Sequence, residues 1–182
     1  VEIQDIAEKA LLDMLHTQNE KYGGDARTGV VVVMEVATGD IKAMVNMNRL
    51  ESGSYFETKN NALTDILEPG STFKTIAMMA ALDDGKVSID DTLRVWKDGW
   101  KYYNAVHRDA HPADTVYTIR QSLAVSSNIA LARMITDGYN GSAKKFVNKL
   151  KNMGLCDSID YIIPGAHQAR IVVPKDTVTI SR

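Results

Sequence analysis

Apolar residues recur every three or four positions through the first twenty residues. Ile3, Ile6, Ala7, Ala10, Leu11, Met14 and Leu15 share one face, which predicts a helix from about Ile3 to Lys21. Gly23 and Gly24 stop it. The pattern then changes period. Val30–Val36 is β-branched and apolar, as expected of a strand buried on both faces. Ala37–Asp40 supplies a turn. In the next segment Ile41, Ala43, Val45 and Met47 alternate with Lys42, Met44 and Asn46, a period of two. Gly29–Met47 therefore reads as a hairpin with one face against helices.

Beyond the hairpin, Arg49–Asn61 is polar and reads as a long loop, and Pro69 and Gly70 interrupt the chain again. Thr72–Asp84 returns to helical spacing, with Phe73, Ile76, Ala77, Ala80 and Ala81 on one side. Lys86–Ala113 reads as irregular. Val116–Leu123 and Asn128–Ile135 read as two short helices flanking Val125–Ser127, and Ser142–Met153 as another. Asp157–Arg182 reads as mostly extended. The fold class expected is α/β of the α+β type, an antiparallel sheet packed by helices.

Composition narrows the functions this chain can serve. It has 182 residues, 21 Lys plus Arg against 23 Asp plus Glu, and a net charge of −2. That balance, with a pI near 6.1, argues against nucleic acid as a partner. No run of about 18 apolar residues spans a membrane, and no signal-peptide pattern opens the chain. One cysteine, Cys156, precludes an internal disulfide. His107 and His111 are four apart, but Pro112 follows at once and no cysteine cluster supports them. They read as surface loop histidines, so neither metal nor cofactor is expected. Trp96, Trp100, Tyr102 and Tyr103 read as packing under a loop rather than as a substrate groove.

Chemistry concentrates in Glu68-Pro69-Gly70-Ser71-Thr72-Phe73-Lys74. Ser71 stands at the start of a predicted helix, and Lys74 follows one turn later on the same face. That spacing can bring the amine within reach of the hydroxyl. Unpaired N–H groups at a helix start could also stabilise an oxyanion. A serine hydroxyl needs a base to become a nucleophile. Lysine serves only when neutral, and with a pKa of about 10.4 about one molecule in 2,500 is neutral at pH 7. Desolvation or a second cation must lower that value. Alone, the pair reads more readily as a helix cap and a solvated lysine, as most matches to so short a pattern do. A second polar triplet, Ser126-Ser127-Asn128, lies between apolar helical stretches and can point Ser126 and Asn128 into a shared cleft. Alone, it reads as a cap and a turn.

Together the two segments match the S-x-x-K and S-x-N elements of penicillin-binding proteins and β-lactamases. Three stretches strengthen the resemblance. Gly29–Asn46 (GVVVVMEVATGDIKAMVN) resembles the opening hairpin of their transpeptidase domains. Asn60–Thr75 (NNALTDILEPGSTFKT) resembles the approach to the nucleophile in class B high-molecular-weight penicillin-binding proteins. Val1–Leu12 (VEIQDIAEKALL) resembles the first helix of that domain.

The resemblance implies a peptidoglycan D,D-transpeptidase. Ser71 would attack the penultimate D-alanine carbonyl of a stem peptide ending in D-Ala-D-Ala. Lys74 would act as base, Ser126 as proton relay, and Asn128 would hold Lys74 and a substrate amide. β-Lactam antibiotics would acylate Ser71. It also implies a bacterial parent on the extracytoplasmic, periplasmic side of the cell membrane, with a single-pass anchor and cell-wall synthesis or divisome proteins as partners.

One element departs from the pattern. No K-T-G or K-S-G follows Asn128, and Lys97-Asp98-Gly99 precedes the second motif. Residues 1–182 are therefore expected to be the N-terminal part of a transpeptidase domain, poorly active alone. The alternatives are a β-lactam sensor, a serine β-lactamase, a D,D-carboxypeptidase or a non-catalytic pseudo-transpeptidase. Asp157–Arg170 contains no glutamate, which counts against a class A β-lactamase. Gly70–Thr75 lacks the order of a phosphate loop. His107-Arg108-Asp109 matches a kinase triplet, but Asp114 stands where that motif needs Asn.

Overall fold

The computed structural model describes residues 2–157, 166–167 and 171. The described residues form two compact units, residues 2–67 with 166–167 and residues 68–157 with 171. The expected extended segment Asp157–Arg182 lies almost entirely outside the described residues.

The first unit is a helix on a small sheet. Helix α1 (Glu2–Glu20) lies against β1 (Thr28–Met34), β2 (Ile41–Arg49) and the short β3 (Tyr55–Phe56). The strands are antiparallel in the order β1-β2-β3. Ala7, Leu11 and Leu15 of α1 meet Ala43, Val45 and Met47 of β2 in one core, whereas Ile3, Ile6 and Met14, read onto the same helix face, and Ile41, read onto the same strand face, are exposed. Burying a side chain such as Val45 contributes roughly 1.5–3 kcal/mol. Gln4 docks the helix: its amide donates to Met44 O and accepts from Met44 N, both at 2.9 Å. Gly29 lets α1 approach, since a Cβ there would sit 2.7 Å from Leu11 Cδ1.

Two readings of this unit need correction. β1 is not buried on both faces: Val31 and Val33 turn towards the core, while Val30, Val32 and Met34 are exposed. Among the described residues β1 is an edge strand with α1 on one side of its sheet, so alternation replaces double burial. Asn46, assigned to the polar side of β2, is 1% exposed. It donates to Glu57 Oε1 at 3.3 Å, and its Oδ1 accepts from Ala62 N at 2.9 Å. Those bonds make its burial tolerable. The loop Arg49–Asn61 also contains β3, and α2 (Asn61–Thr64) follows it.

In the second unit a 3-10 turn (Gly70–Thr72) runs directly into α3 (Phe73–Asp83). The region 86–113, read as irregular, holds β4 (Thr92–Val95), β5 (Trp100–Tyr102) and β6 (Ala105–His107). β5 and β6 form a hairpin, and β4 pairs with β7 (Thr115–Thr118). Val116 and Tyr117 are thus strand rather than helix. Helix α4 (Ile119–Ala124) begins only after Thr118, whose side chain and Gln121 form a reciprocal capping box. α5 (Asn128–Gly138) and α6 (Ala143–Asn152) complete the unit. Met78 and Ala81 of α3, Ile119, and Leu131, Met134 and Tyr139 on and after α5 share one core. Val95, Ile129 and Ala130 share another, against which Trp96 and Trp100 pack. That contact accords with the packing role read for these two tryptophans. His107 sits on β6, not in a loop, with its ring 5.6 Å from that of Trp100. Among the described residues, no helix is long and apolar enough to cross a membrane.

Candidate active site

Pro69 and Gly70 set up the first half of the site. Gly70 has φ +57°, a left-handed value that glycine adopts without strain. Thr72 Oγ1 donates to Pro69 O at 2.6 Å and ties the turn together. Ser71 lies in the middle of that turn, exposed. Lys74 is the second residue of α3, one turn further on.

The second half is the junction between α4 and α5. Ser126 has φ +52°, an uncommon conformation for a residue with a Cβ. Ser127 caps α5, accepting from Ala130 N at 3.0 Å, and is 1% exposed. Asn128 begins α5. Its Nδ2 donates to Arg108 O at 2.8 Å, which leaves Oδ1 facing the other way.

Lys74 joins the two halves. Its Nζ donates to Ser126 O at 2.6 Å, to Ser126 Oγ at 2.9 Å and to Asn128 Oδ1 at 2.6 Å. Three acceptors match the three N–H groups of an ammonium. The same contacts fit a neutral amine as well, because a hydroxyl can donate as readily as it accepts. If the proton leaves, Ser126 Oγ is the one partner of the three that can donate back to the lone pair. Ser126 O and Asn128 Oδ1 only accept.

Burial lowers the pKa of Lys74, and the Asp109 carboxylate pulls the other way. Burial outweighs the carboxylate, so the shift is in the direction a base requires. Burial also lowers the pKa of His107.

The structure thus brings Lys74, Ser126 and Asn128 together. The expected contact between Lys74 and the Ser71 hydroxyl is not formed. Among the described residues, Ser71 makes no side-chain hydrogen bond, and the lysine amine is fully engaged by the second motif. While it is protonated Lys74 has no lone pair to offer the Ser71 hydroxyl, so a role as base requires the neutral amine.

Sequence reasoning passed over Arg108 and Asp109. Asp109 Oδ2 accepts from Ser127 Oγ at 2.8 Å and Oδ1 from Ile129 N at 3.0 Å. The triplet His107-Arg108-Asp109 fails as a kinase motif because Asp114 stands where that motif needs Asn. An acidic side chain available to cap a helix was its other signal. Nothing in sequence showed that the helix to be capped lay some twenty residues downstream. Among the described residues no cluster of three or more His, Cys, Asp or Glu is arranged to hold a metal ion.

Comparison with known proteins agrees with the two motifs. Residues 29–177 match the model of the penicillin binding protein transpeptidase domain. A probable peptidoglycan D,D-transpeptidase, PenA, of Neisseria flavescens is 33% identical over 114 residues, covering 60% of this chain and 28% of that protein. The peptidoglycan D,D-transpeptidase FtsI of Buchnera aphidicola is 29% identical over 135 residues, covering 70% and 24%. The chain thus spans under a third of the length of these relatives. Among solved structures, the transpeptidase domain of Burkholderia pseudomallei penicillin-binding protein 3 superposes with a TM-score of 0.75 at 22% identity, over 99% of this chain and 49% of that one. A peptidoglycan glycosyltransferase structure from Burkholderia ambifaria gives 0.75 at 24% identity, over 99% and 52%. These likenesses bear out the mixed helix and antiparallel-sheet fold.

Proposed function

This chain belongs to the penicillin-binding protein transpeptidase family, and from that membership we propose that its parent protein is a serine-type peptidoglycan D,D-transpeptidase of the class B kind. Residues 1–182 form the N-terminal part of its transpeptidase domain. The observation that carries this reading is the convergence of Ser126 Oγ and Asn128 Oδ1 on Lys74 Nζ, one helical turn from Ser71.

Ser71 Oγ attacks the carbonyl carbon of the penultimate D-alanine in a stem peptide. Its proton passes to the neutral amine of Lys74. The peptide bond to the terminal D-alanine breaks, and Lys74, through Ser126, returns a proton to the departing amine. The product is an ester on Ser71. An amine of a second stem peptide then attacks this ester; the new amide is the cross-link, the acyl C–O bond breaks, and the proton lost by the amine returns to Ser71 Oγ. Asn128 serves twice, holding Lys74 through Oδ1 and offering its amide edge to a substrate amide. The pre-positioned base supplies the orientation on which such catalysis depends. β-Lactams acylate Ser71 by opening their ring in place of the D-alanyl bond. The parent works on the extracytoplasmic side of the cell membrane, anchored there, beside other cell-wall synthesis or division proteins. The names of the relatives support action on peptidoglycan, and the anchor and the neighbouring proteins follow from the resemblance of the motifs.

The test uses the full-length parent. A fluorescent penicillin is expected to label the wild type stoichiometrically, with the adduct on Ser71 by intact and peptide mass spectrometry. Ser71→Ala abolishes labelling while keeping the melting temperature. A folded parent without any adduct would sink the proposal. Release of D-alanine from a peptide ending in D-Ala-D-Ala separates the rivals. Acylation without release is the result expected of a β-lactam sensor, and release without cross-linking that of a D,D-carboxypeptidase.

A further inference from the structure

Ser126 is held in a left-handed conformation at an exposed position, where nothing in its own sequence favours it. It has a Cβ, and neither neighbour is a glycine or a proline. Such a backbone persists only when its surroundings over-determine it. The restraint is visible on the next three residues. Asp109 grips Ser127 through its hydroxyl, at 2.8 Å, and Ile129 through its N–H, at 3.0 Å. Arg108 O takes the Asn128 amide at 2.8 Å. The same two-residue segment therefore holds every residue of the junction that follows Ser126. Ser127 is buried and Asp109 half-buried, so the bond between them is partly withdrawn from water.

We propose that Asp109 is a positioning residue of this site: its carboxylate holds the Ser126–Asn128 junction in the conformation that presents Ser126 Oγ and Asn128 Oδ1 to Lys74, and places a negative charge beside that junction. The proposal rests on the transpeptidase reading above. Among the described residues, Lys74 bonds Ser126 and Asn128 of the junction, both neutral, and is acted on at longer range by the charge of Asp109 from the segment after β6. Asp109 is, among the described residues, the one charge that shifts the amine's pKa, and it favours the protonated form.

The two roles separate by substitution in the full-length parent. Asp109→Asn removes the charge but keeps the shape. Its amide can still accept from Ile129 N–H and donate to Ser127 Oγ. Asp109→Ala removes both. Acylation by a fluorescent penicillin is followed against pH. Its rate rises as Lys74 deprotonates, so the acid limb reports the lysine.

Asp109→Ala is expected to slow acylation roughly 10- to 100-fold, the scale of a misplaced catalytic group. Asp109→Asn is expected to keep the plateau rate within about threefold and to move the acid limb to lower pH, because the anion that raised the lysine pKa is gone. Asp109→Ala acylating at the wild-type rate overturns the proposal. So does an acid limb unmoved in Asp109→Asn, which would mean a cap that merely stabilises the fold. Should Asp109→Ala not fold, the Asp109→Asn profile decides alone. If the wild type itself is never labelled, the transpeptidase reading fails and takes this inference with it. A labelled wild type with indifferent Asp109 variants overturns only the inference.

Discussion

Lys74 donates to Asn128 Oδ1 at 2.6 Å across 54 residues of sequence. One contact links the start of α3 to the start of α5, and the amide that accepts it is oriented by its own bond to Arg108 O. Asn128→Ala removes both bonds at once and leaves Lys74 with Ser126 alone. Acylation of the full-length parent by a fluorescent penicillin is expected to fall roughly 10- to 100-fold. Because Asn128 is exposed, the melting temperature is expected to move by only a few degrees, the shift of about 1 kcal/mol. A wild-type acylation rate in this variant would show that the contact is incidental.

Lys74 also leaves a mark on stability. Its folded-state pKa lies below its ordinary value of 10.5. Between those two values the unfolded chain binds more protons than the folded one, so stability rises with pH across that window. Below the folded value the penalty of burying the charge is fully present. Above 10.5 it is gone. Lys74→Met has no such titration. Its stability relative to wild type, measured by denaturant titration at a series of pH values, is expected to decline as pH climbs towards 10.5. A pH-independent difference between the two proteins would contradict this.

Much of this was readable from the chain, and the misses have physical causes. The helix α1 and the strand β2 followed from period alone, because each buries one face. The candidate site residues Ser71, Lys74, Ser126 and Asn128 come from two short motifs. Their convergence was not derivable from either, since it depends on α3 and α5 sharing a core through Met78, Ala81 and Leu131. The short strands β4, β5 and β6 escaped because three or four residues hold too few alternations to show a period. Val116 and Tyr117 were misread as helix because the start signal at Thr118 and Gln121 was overlooked. Asp109 was invisible because capping partners 18 and 20 residues away leave no local pattern.

Tyr139 gives the opposite pH dependence from Lys74. Its hydroxyl donates to Asp84 Oδ2 at 3.0 Å and to Ala80 O at 3.2 Å. Burial, then the Asp84 carboxylate, push its pKa from 10.0 up to about 12. A raised pKa favours the protonated phenol in the fold. The stabilisation is complete below pH 10 and is lost as pH rises through about 12. Lys149 also binds Asp84, at 2.8 Å, so Tyr139→Phe does not strand that carboxylate. The variant is expected to lose about 0.5–1.5 kcal/mol at neutral pH. Its loss of stability in alkali is expected to be shallower than that of wild type. Parallel alkaline melting curves would be the contrary result.

Ser126 offers a way to separate backbone strain from chemistry. Its φ of +52° disfavours any residue with a Cβ. Ser126→Gly relieves that strain and removes the hydroxyl. Ser126→Ala removes the hydroxyl and keeps the strain. Because Ser126 is exposed, burial changes little between the two. The glycine variant is therefore expected to be the more stable of the pair by about 1 kcal/mol. Both lose the Oγ that bonds Lys74 at 2.9 Å. If that hydroxyl relays the proton, both acylate more slowly, by roughly 10²- to 10⁴-fold for a lost proton-transfer group. The carbonyl of Ser126 still accepts from Lys74 at 2.6 Å in either variant, so the lysine keeps its place. Melting curves and penicillin acylation on the same two proteins read the two effects apart. Equal stabilities would show an unstrained junction, and wild-type acylation in both would remove Ser126 Oγ from the mechanism.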